Sequence, residues 1–203
     1  MTIAPHLAGQ DLIDSLLGRD NLTVDDIADL PEDLRFELID GRLVLTPRAL
    51  PIHQFISVRA NNAIEEHCPD GIMVNVEQAV RLNRANELCP DVMVFREEGA
   101  GQSPIMSADV LLVVEVISPS SKSIDPGKKF EYYGNLGIPA YWIIDPLAAR
   151  VTLTQFLLGP DGSYQQHLKT DDLVTVEEPW KITLDLPAWT RRRDLIRDKT
   201  RRR

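Results

Sequence analysis

One run constrains this chain more than any other: Val110-Leu111-Leu112-Val113-Val114-Glu115-Val116-Ile117. Its apolar character is continuous rather than alternating, the pattern of a strand covered on both faces in the middle of a sheet. Into that run the sequence sets a single carboxylate. An ionised carboxylate buried in a central strand is costly unless it is paired, protonated or bound to a metal. Chains tolerate that cost mainly at functional sites. The bland alternative is a structural Glu115 paired with a core Arg or Lys, and both readings stay open at this point.

The elements around this strand set the fold class. Two β-type runs, LRFELID and LVLTP, meet at Asp40-Gly41, a strong hairpin signal. Thr23, with Asp25 and Asp26 in the next turn, predicts a short helix that stops at Pro31. Pro51 opens a helical stretch to about His67, with Phe55, Ile56, Ala60, Ala63 and Ile64 as its apolar stripe. GIMVNV, EQAVRLN and PDVMVF follow as strands. A second helix is expected from about Asp125 to Leu136, closed by Gly137, then AYWIID as a strand. A last hairpin turns at Gly159-Pro160-Asp161-Gly162. This order predicts an α/β sandwich on a mixed sheet, not a doubly wound parallel fold. At 203 residues the chain suits one domain able to bury a sizeable core. Residues 1–22 are expected as an N-terminal extension, 23–189 as the domain and 190–203 as a basic tail.

Other residues join Glu115. In CPDVMVF, Asp91 stands at the mouth of a strand just after Pro90. By itself a Pro-Asp at a strand start is more often a turn. With Glu115 it makes a two-carboxylate constellation, suited to a hard cation such as Mg²⁺, which takes one or two carboxylates and keeps several waters. Asp125, Lys129 and Tyr133 fall at i, i+4 and i+8 and share one helix face. Either Asp125 and Lys129 form an ion pair, or Lys129 points at the carboxylates and orients or deprotonates a nucleophilic water. Glu37 is a further acid on the hairpin, and His53, at a helix start, reads as a cap or surface residue. Serine-hydrolase and P-loop chemistries are excluded, since neither G-x-S-x-G nor G-x4-G-K-[ST] occurs. Two cysteines, Cys68 and Cys89, make neither a zinc site nor a disulfide framework, and a reducing, cytoplasmic setting is expected. The first residues lack the basic start and apolar region of a signal peptide. The apolar run Val110 to Val114 is far too short to span a bilayer.

The segments FELIDGRLVLTP, PIHQFIS, CPDVMVF, LLVVEVISPSS, DPGKKFEYYGNLGIPAYWIIDP and GSYQQHL together resemble the Uma family of restriction-endonuclease-like proteins. The resemblance covers about residues 23 to 186. It implies the PD-(D/E)XK nuclease fold: a restriction-endonuclease-like mixed β-sheet flanked by helices, here with an added N-terminal hairpin. It also implies that Asp91 and Glu115 hold Mg²⁺ or Mn²⁺ with the main-chain carbonyl of Val116, and that Glu37 is an accessory ligand. The superfamily's lysine would lie two residues after Glu115, where Ile117 stands, and Lys129 is its natural substitute. The implied activity is metal-dependent hydrolysis of DNA phosphodiester bonds, with Asp91, Glu115 and Lys129 catalytic, by a homodimer.

Charge pulls the other way. The net charge is −9, yet residues 190–203 carry eight Lys/Arg against two Asp, leaving −15 on the rest. An acidic surface repels a phosphate backbone unless a basic groove or a metal intervenes. Arg81, Arg84, Lys122, Lys128 and the tail are the groups expected to build such a groove. The competing readings are a non-catalytic binding or regulatory protein on the same fold, and a metal-dependent enzyme for another substrate.

Overall fold

Two larger sheets, a two-stranded ribbon and the helices packed on them organise the chain in the computed structural model, which describes residues 5–31, 33–119 and 126–201. Lys122 and Asp125 lie outside the described residues. The larger sheet has six strands in the order β11-β10-β9-β8-β6-β3. They are β3 (Ile72–Val76), β6 (Val92–Arg96), β8 (Val110–Val116), β9 (Ala140–Asp145), β10 (Thr152–Leu158) and β11 (Tyr164–Thr170). β8 and β9 run parallel, and every other neighbouring pair is antiparallel, so the sheet is mixed. As its continuous apolarity predicts, β8 is interior, and five of its seven residues are buried.

Helices cover both faces. From α2 (Pro51–Glu65), Ile56, Ala60 and Ile64 pack on one face against Val92, Val94, Leu112, Val114, Val116, Trp142 and Ile144. From α3 (Pro126–Asn135), Tyr133 packs on the other face with Val113, Met93 and Tyr141. The strand's two-residue period therefore sends Val116 toward α2 and Glu115 toward α3.

The second sheet has the order β2-β1-β5-β4-β7 and begins with the hairpin of β1 (Phe36–Ile39) and β2 (Arg42–Leu45). β5 (Asn86–Leu88), β4 (Val80–Asn83) and β7 (Ile105–Met106) complete it. Asp40 and Gly41 both have positive φ, 50° and 71°, as a two-residue type I′ turn requires. Gly41 is also obligatory by contact: a Cβ there would stand 3.0 Å from Asn21 Cα and Leu22 O.

Several segments differ from expectation. Residues 24–29 form successive turns rather than a helix. Thr23 does cap them, its N–H and Oγ1 both donating to Asp26 Oδ2 at 2.8 Å. The stretch before Pro31 is too short to propagate. β5 has no counterpart in the sequence reading; its three residues are all buried and leave no alternation to read. The expected N-terminal extension contains α1 (Pro5–Leu16), whose Ile13 and Leu16 share a core with Leu22, Leu38 and Leu43 of the hairpin region. The expected tail is mostly helix: α4 (Leu186–Arg201) follows the small β12–β13 ribbon (Leu173–Val176 and Ile182–Asp185). Its Arg193 is 1% exposed and donates to the carbonyls of Pro146, Ala148 and Ala149. A charge-rich sequence reads as solvated, but here one guanidinium is buried where backbone carbonyls satisfy it. No described helix is long and apolar enough to cross a membrane.

Candidate functional site

At the carboxyl end of β8, residues far apart in sequence meet. Asp91, just before β6, accepts the Val116 N–H on Oδ2 at 2.6 Å. His53, in the first turn of α2, sets Nε2 3.0 Å from Val116 O and 3.2 Å from Asp91 Oδ2. Both neighbours are acceptors, so Nε2 carries the hydrogen and donates to them. Asp91, Val116 and His53 thus close a small ring. Val116 spends its N–H and its carbonyl on side chains.

On the other face of β8, Lys129 reaches down from α3 and donates to Glu115 Oε1 at 2.9 Å and Glu37 Oε1 at 3.0 Å. Tyr133, one turn further along α3, donates its hydroxyl to the same Glu115 oxygen at 3.2 Å. The hairpin supplies Glu37 from the second sheet, where it also accepts the Cys89 N–H at 3.0 Å. Glu37 is 2% exposed, and its Oε2 is buried without a hydrogen-bond partner. The added hairpin therefore builds one wall of the site.

Burial drives the electrostatics. It pushes the Glu115 carboxyl up to about 7; Lys129 opposes this, while Asp91 and Glu37 add to it. For Lys129, burial favours the neutral amine, but Glu115 and Glu37 outweigh it and raise its pKa further. Its position between two carboxylates thus favours the ammonium form of Lys129. Two of its three donors are taken by carboxylates, leaving one for a water or a phosphate oxygen. Desolvation alone would lower the His53 pKa; the hydrogen bond and charge of Asp91, with smaller help from Val116 O and Glu115, raise it overall. Burial, with Glu115 and Glu37 nearby, holds Tyr133 well above the ordinary phenol value, so it remains a donor.

The donor set tests whether a cation belongs here. No hydrogen bond among the described residues uses Asp91 Oδ1 or Glu115 Oε2. With Val116 O, which has a second lone pair, and the orphaned Glu37 Oε2, every available donor is a hard oxygen. Such a set fits Mg²⁺ or Mn²⁺ and is wrong for a thiolate-seeking metal. Among the described residues no group of three or more His, Cys, Asp or Glu is gathered as a metal cage. Two carboxylates and a main-chain carbonyl would leave the remaining positions of a hard cation to water.

The structure brings Asp91, Glu115, Val116, Lys129 and Glu37 together. Ile117 takes no part and donates its N–H to Ile144 O in the sheet. Two contributors were missed or underused in sequence. His53 reads as a cap but is buried, and its adjacency to Asp91 and Val116 has no local signature. Tyr133 shares Lys129's helix face, a signal that could have found it.

Comparisons with known proteins bear on the family and the fold. Residues 24–190 match the family model described as "Uma2: Putative restriction endonuclease". The chain is 28% identical over 123 residues to the "Uncharacterized protein slr1290" of Synechocystis sp.. That match spans 59% of this chain and 65% of the relative. A crystal structure from Anabaena variabilis, titled as a putative nuclease belonging to DUF820, superposes with a TM-score of 0.63. It is 20% identical, and the superposition covers 83% of this chain and 99% of that one, a likeness in fold.

Proposed function

Because the chain belongs to the Uma2 family, a match covering residues 24–190, we propose that it is a metal-dependent endonuclease hydrolysing phosphodiester bonds of DNA. The observation that carries this reading is the convergence of Asp91, Glu115 and Lys129 on one strand end, from three separate elements. Asp91 Oδ1, Glu115 Oε2 and the Val116 carbonyl would hold Mg²⁺ or Mn²⁺, with Glu37 Oε2 as the accessory oxygen. When bound, the cation would acidify a coordinated water and neutralise charge developing on the phosphate.

The chain's own residues do the rest. His53 fixes Asp91 Oδ2 and so presents Oδ1. Glu37 holds Lys129 in place through Oε1. Lys129 spends its remaining N–H on the attacking water or on a non-bridging phosphate oxygen, which it orients and stabilises as charge builds. Tyr133 locks the Glu115 rotamer. The homodimer implied by the family resemblance belongs to the same proposal, and analytical ultracentrifugation reads it directly.

The test is incubation of purified protein with supercoiled and single-stranded DNA and Mg²⁺ or Mn²⁺, beside Glu115→Ala and Lys129→Ala. Nicking lost in both variants supports the reading. Cleavage that survives both overturns the residue assignment. Metal binding without cleavage of any DNA would favour a non-catalytic protein on a nuclease fold.

A further inference from the structure

Among the described residues, three of the basic side chains expected in a DNA groove are paired with acids. Arg81 pairs with Glu87, Arg84 with Asp25 and Lys128 with Asp40. The segment expected as a basic tail, which is helix α4, remains to hold a polyanion. Its exposed side carries Arg191, Arg192 and Lys199. Arg192 and Lys199 are seven residues apart and so lie on one face, about 10 Å from each other along the axis. Asp194 is tied to Arg193, and the exposed Asp198, about 100° around the helix from Lys199, shares the face of Arg191.

The helix is anchored and aimed. Arg193 holds the carbonyls of Pro146, Ala148 and Ala149, Arg197 also holds Pro146 O at 3.0 Å, and Thr190 accepts the Val151 N–H. Pro146 lies two residues beyond Ile144, the register partner of Val116. The second half of α4 is thus docked at the sheet end where Asp91 and Glu115 meet. Its first half lies by the far end of α2, where Trp189 lines a groove with Ala63 and Glu66. Helix α4 is therefore tied by Thr190, Arg193 and Arg197 to the loop that leaves β9 at the same sheet end as Val116.

The composition of the free face selects the partner. Leu186 and Trp189 are buried in the core, and Leu195 is the one exposed large apolar side chain of α4. A face with one leucine lacks the apolar area by which amphipathic helices enter a bilayer. Arginine and lysine on a rigid ridge match phosphate oxygens.

We propose that Arg191, Arg192 and Lys199 on α4 form the surface that grips the sugar-phosphate backbone of a DNA duplex presented to the Asp91–Glu115 end of the sheet. This rests on the nuclease reading for its substrate, but its measurement is independent of cleavage. The probe is a short fluorescein-labelled duplex followed by anisotropy in EDTA across a salt series. In Arg191→Ala/Arg192→Ala/Lys199→Ala the affinity should fall tenfold or more, alike for unrelated sequences. The slope of log affinity against log salt should shrink by nearly 3, about 0.9 for each lost phosphate contact. Charge reversal in Arg192→Glu/Lys199→Glu should weaken binding further. Circular dichroism and Mn²⁺ titration calorimetry on each variant verify the fold and the site. Unchanged affinity and slope in the folded triple variant overturn the proposal. So does a full-length protein that binds phosphatidylserine vesicles but no duplex. Duplex binding that depends on these residues in a protein that cleaves nothing would refute the nuclease reading and leave this surface standing.

Discussion

Replacing Lys129 by methionine is the sharpest perturbation of the site. The ammonium lies 2.9 Å from Glu115 Oε1 and 3.0 Å from Glu37 Oε1, with its side chain only 11% exposed. At an effective dielectric of about 20, each contact supplies about 5–6 kcal/mol of Coulomb attraction. Desolvation of three ions offsets most of this in the intact protein. Removing the lysine leaves both carboxylates buried with no counter-charge, a loss of about 3–5 kcal/mol. That is a large share of a typical total of about 5–15 kcal/mol. The sign with pH follows from Glu115, whose carboxyl burial already pushes up to about 7. A raised acid pKa means that the folded state favours the protonated form, so stability is retained below the ordinary carboxylate value of about 4.3 and is lost as pH rises through about 7. Taking away Lys129 removes the opposing charge and moves that titration higher still. The deficit of Lys129→Met should therefore be largest at pH 8 and shrink toward pH 5. Urea unfolding followed by tryptophan fluorescence, in EDTA, measures it at both pH values. A deficit under about 1 kcal/mol at pH 8, or one that grows on acidification, would refute the reasoning. Adding Glu37→Gln should recover part of the loss, because one buried charge is then removed.

Other consequences are as direct. Mg²⁺ at a hundredfold excess over its Kd should stabilise the protein by about 2.7 kcal/mol, and Asp91→Asn should abolish the thermal shift. His53→Phe, which deletes the donor shared by Asp91 and Val116, should weaken Mn²⁺ binding by about 10–100-fold in calorimetry, with His53→Gln retaining part of the affinity. Burial first, then Glu37 and Glu115, push the Cys89 thiol up to about 12. At pH 8 roughly one molecule in ten thousand carries its thiolate, so iodoacetamide should label Cys68 well before Cys89 in peptide mapping of the metal-free protein. Equal labelling rates would contradict this. Arg193→Met should cost about 3 kcal/mol, because backbone carbonyls around Pro146 lose a charged donor, and limited proteolysis should then release the end of α4.

Local chemistry carried much of the fold. The unbroken apolar run of β8 required cover on both faces, and Glu115 inside it pointed to a site, because burying a carboxylate without purpose is too costly to be common. Asp40-Gly41 imposed its turn through backbone sterics alone. The helix face of Lys129 and Tyr133 followed from a 3.6-residue period. These are properties of neighbours in the chain, and a sequence displays them.

What surrounds those residues was decided only on folding. Lys129 and Glu37 are 92 residues apart, and His53 and Val116 are 63 apart. No periodicity records such pairs, so His53 read as a cap or surface residue, and the burial of Glu37 against the lysine left no sign in the sequence. The last segment shows the same limit. Its arginines read as a solvated tail because charge normally seeks water, yet Arg193 is buried by carbonyls that the chain positions more than forty residues earlier. Residue types set which groups had to find partners. The packing of two sheets and the helices on them chose which partners they found.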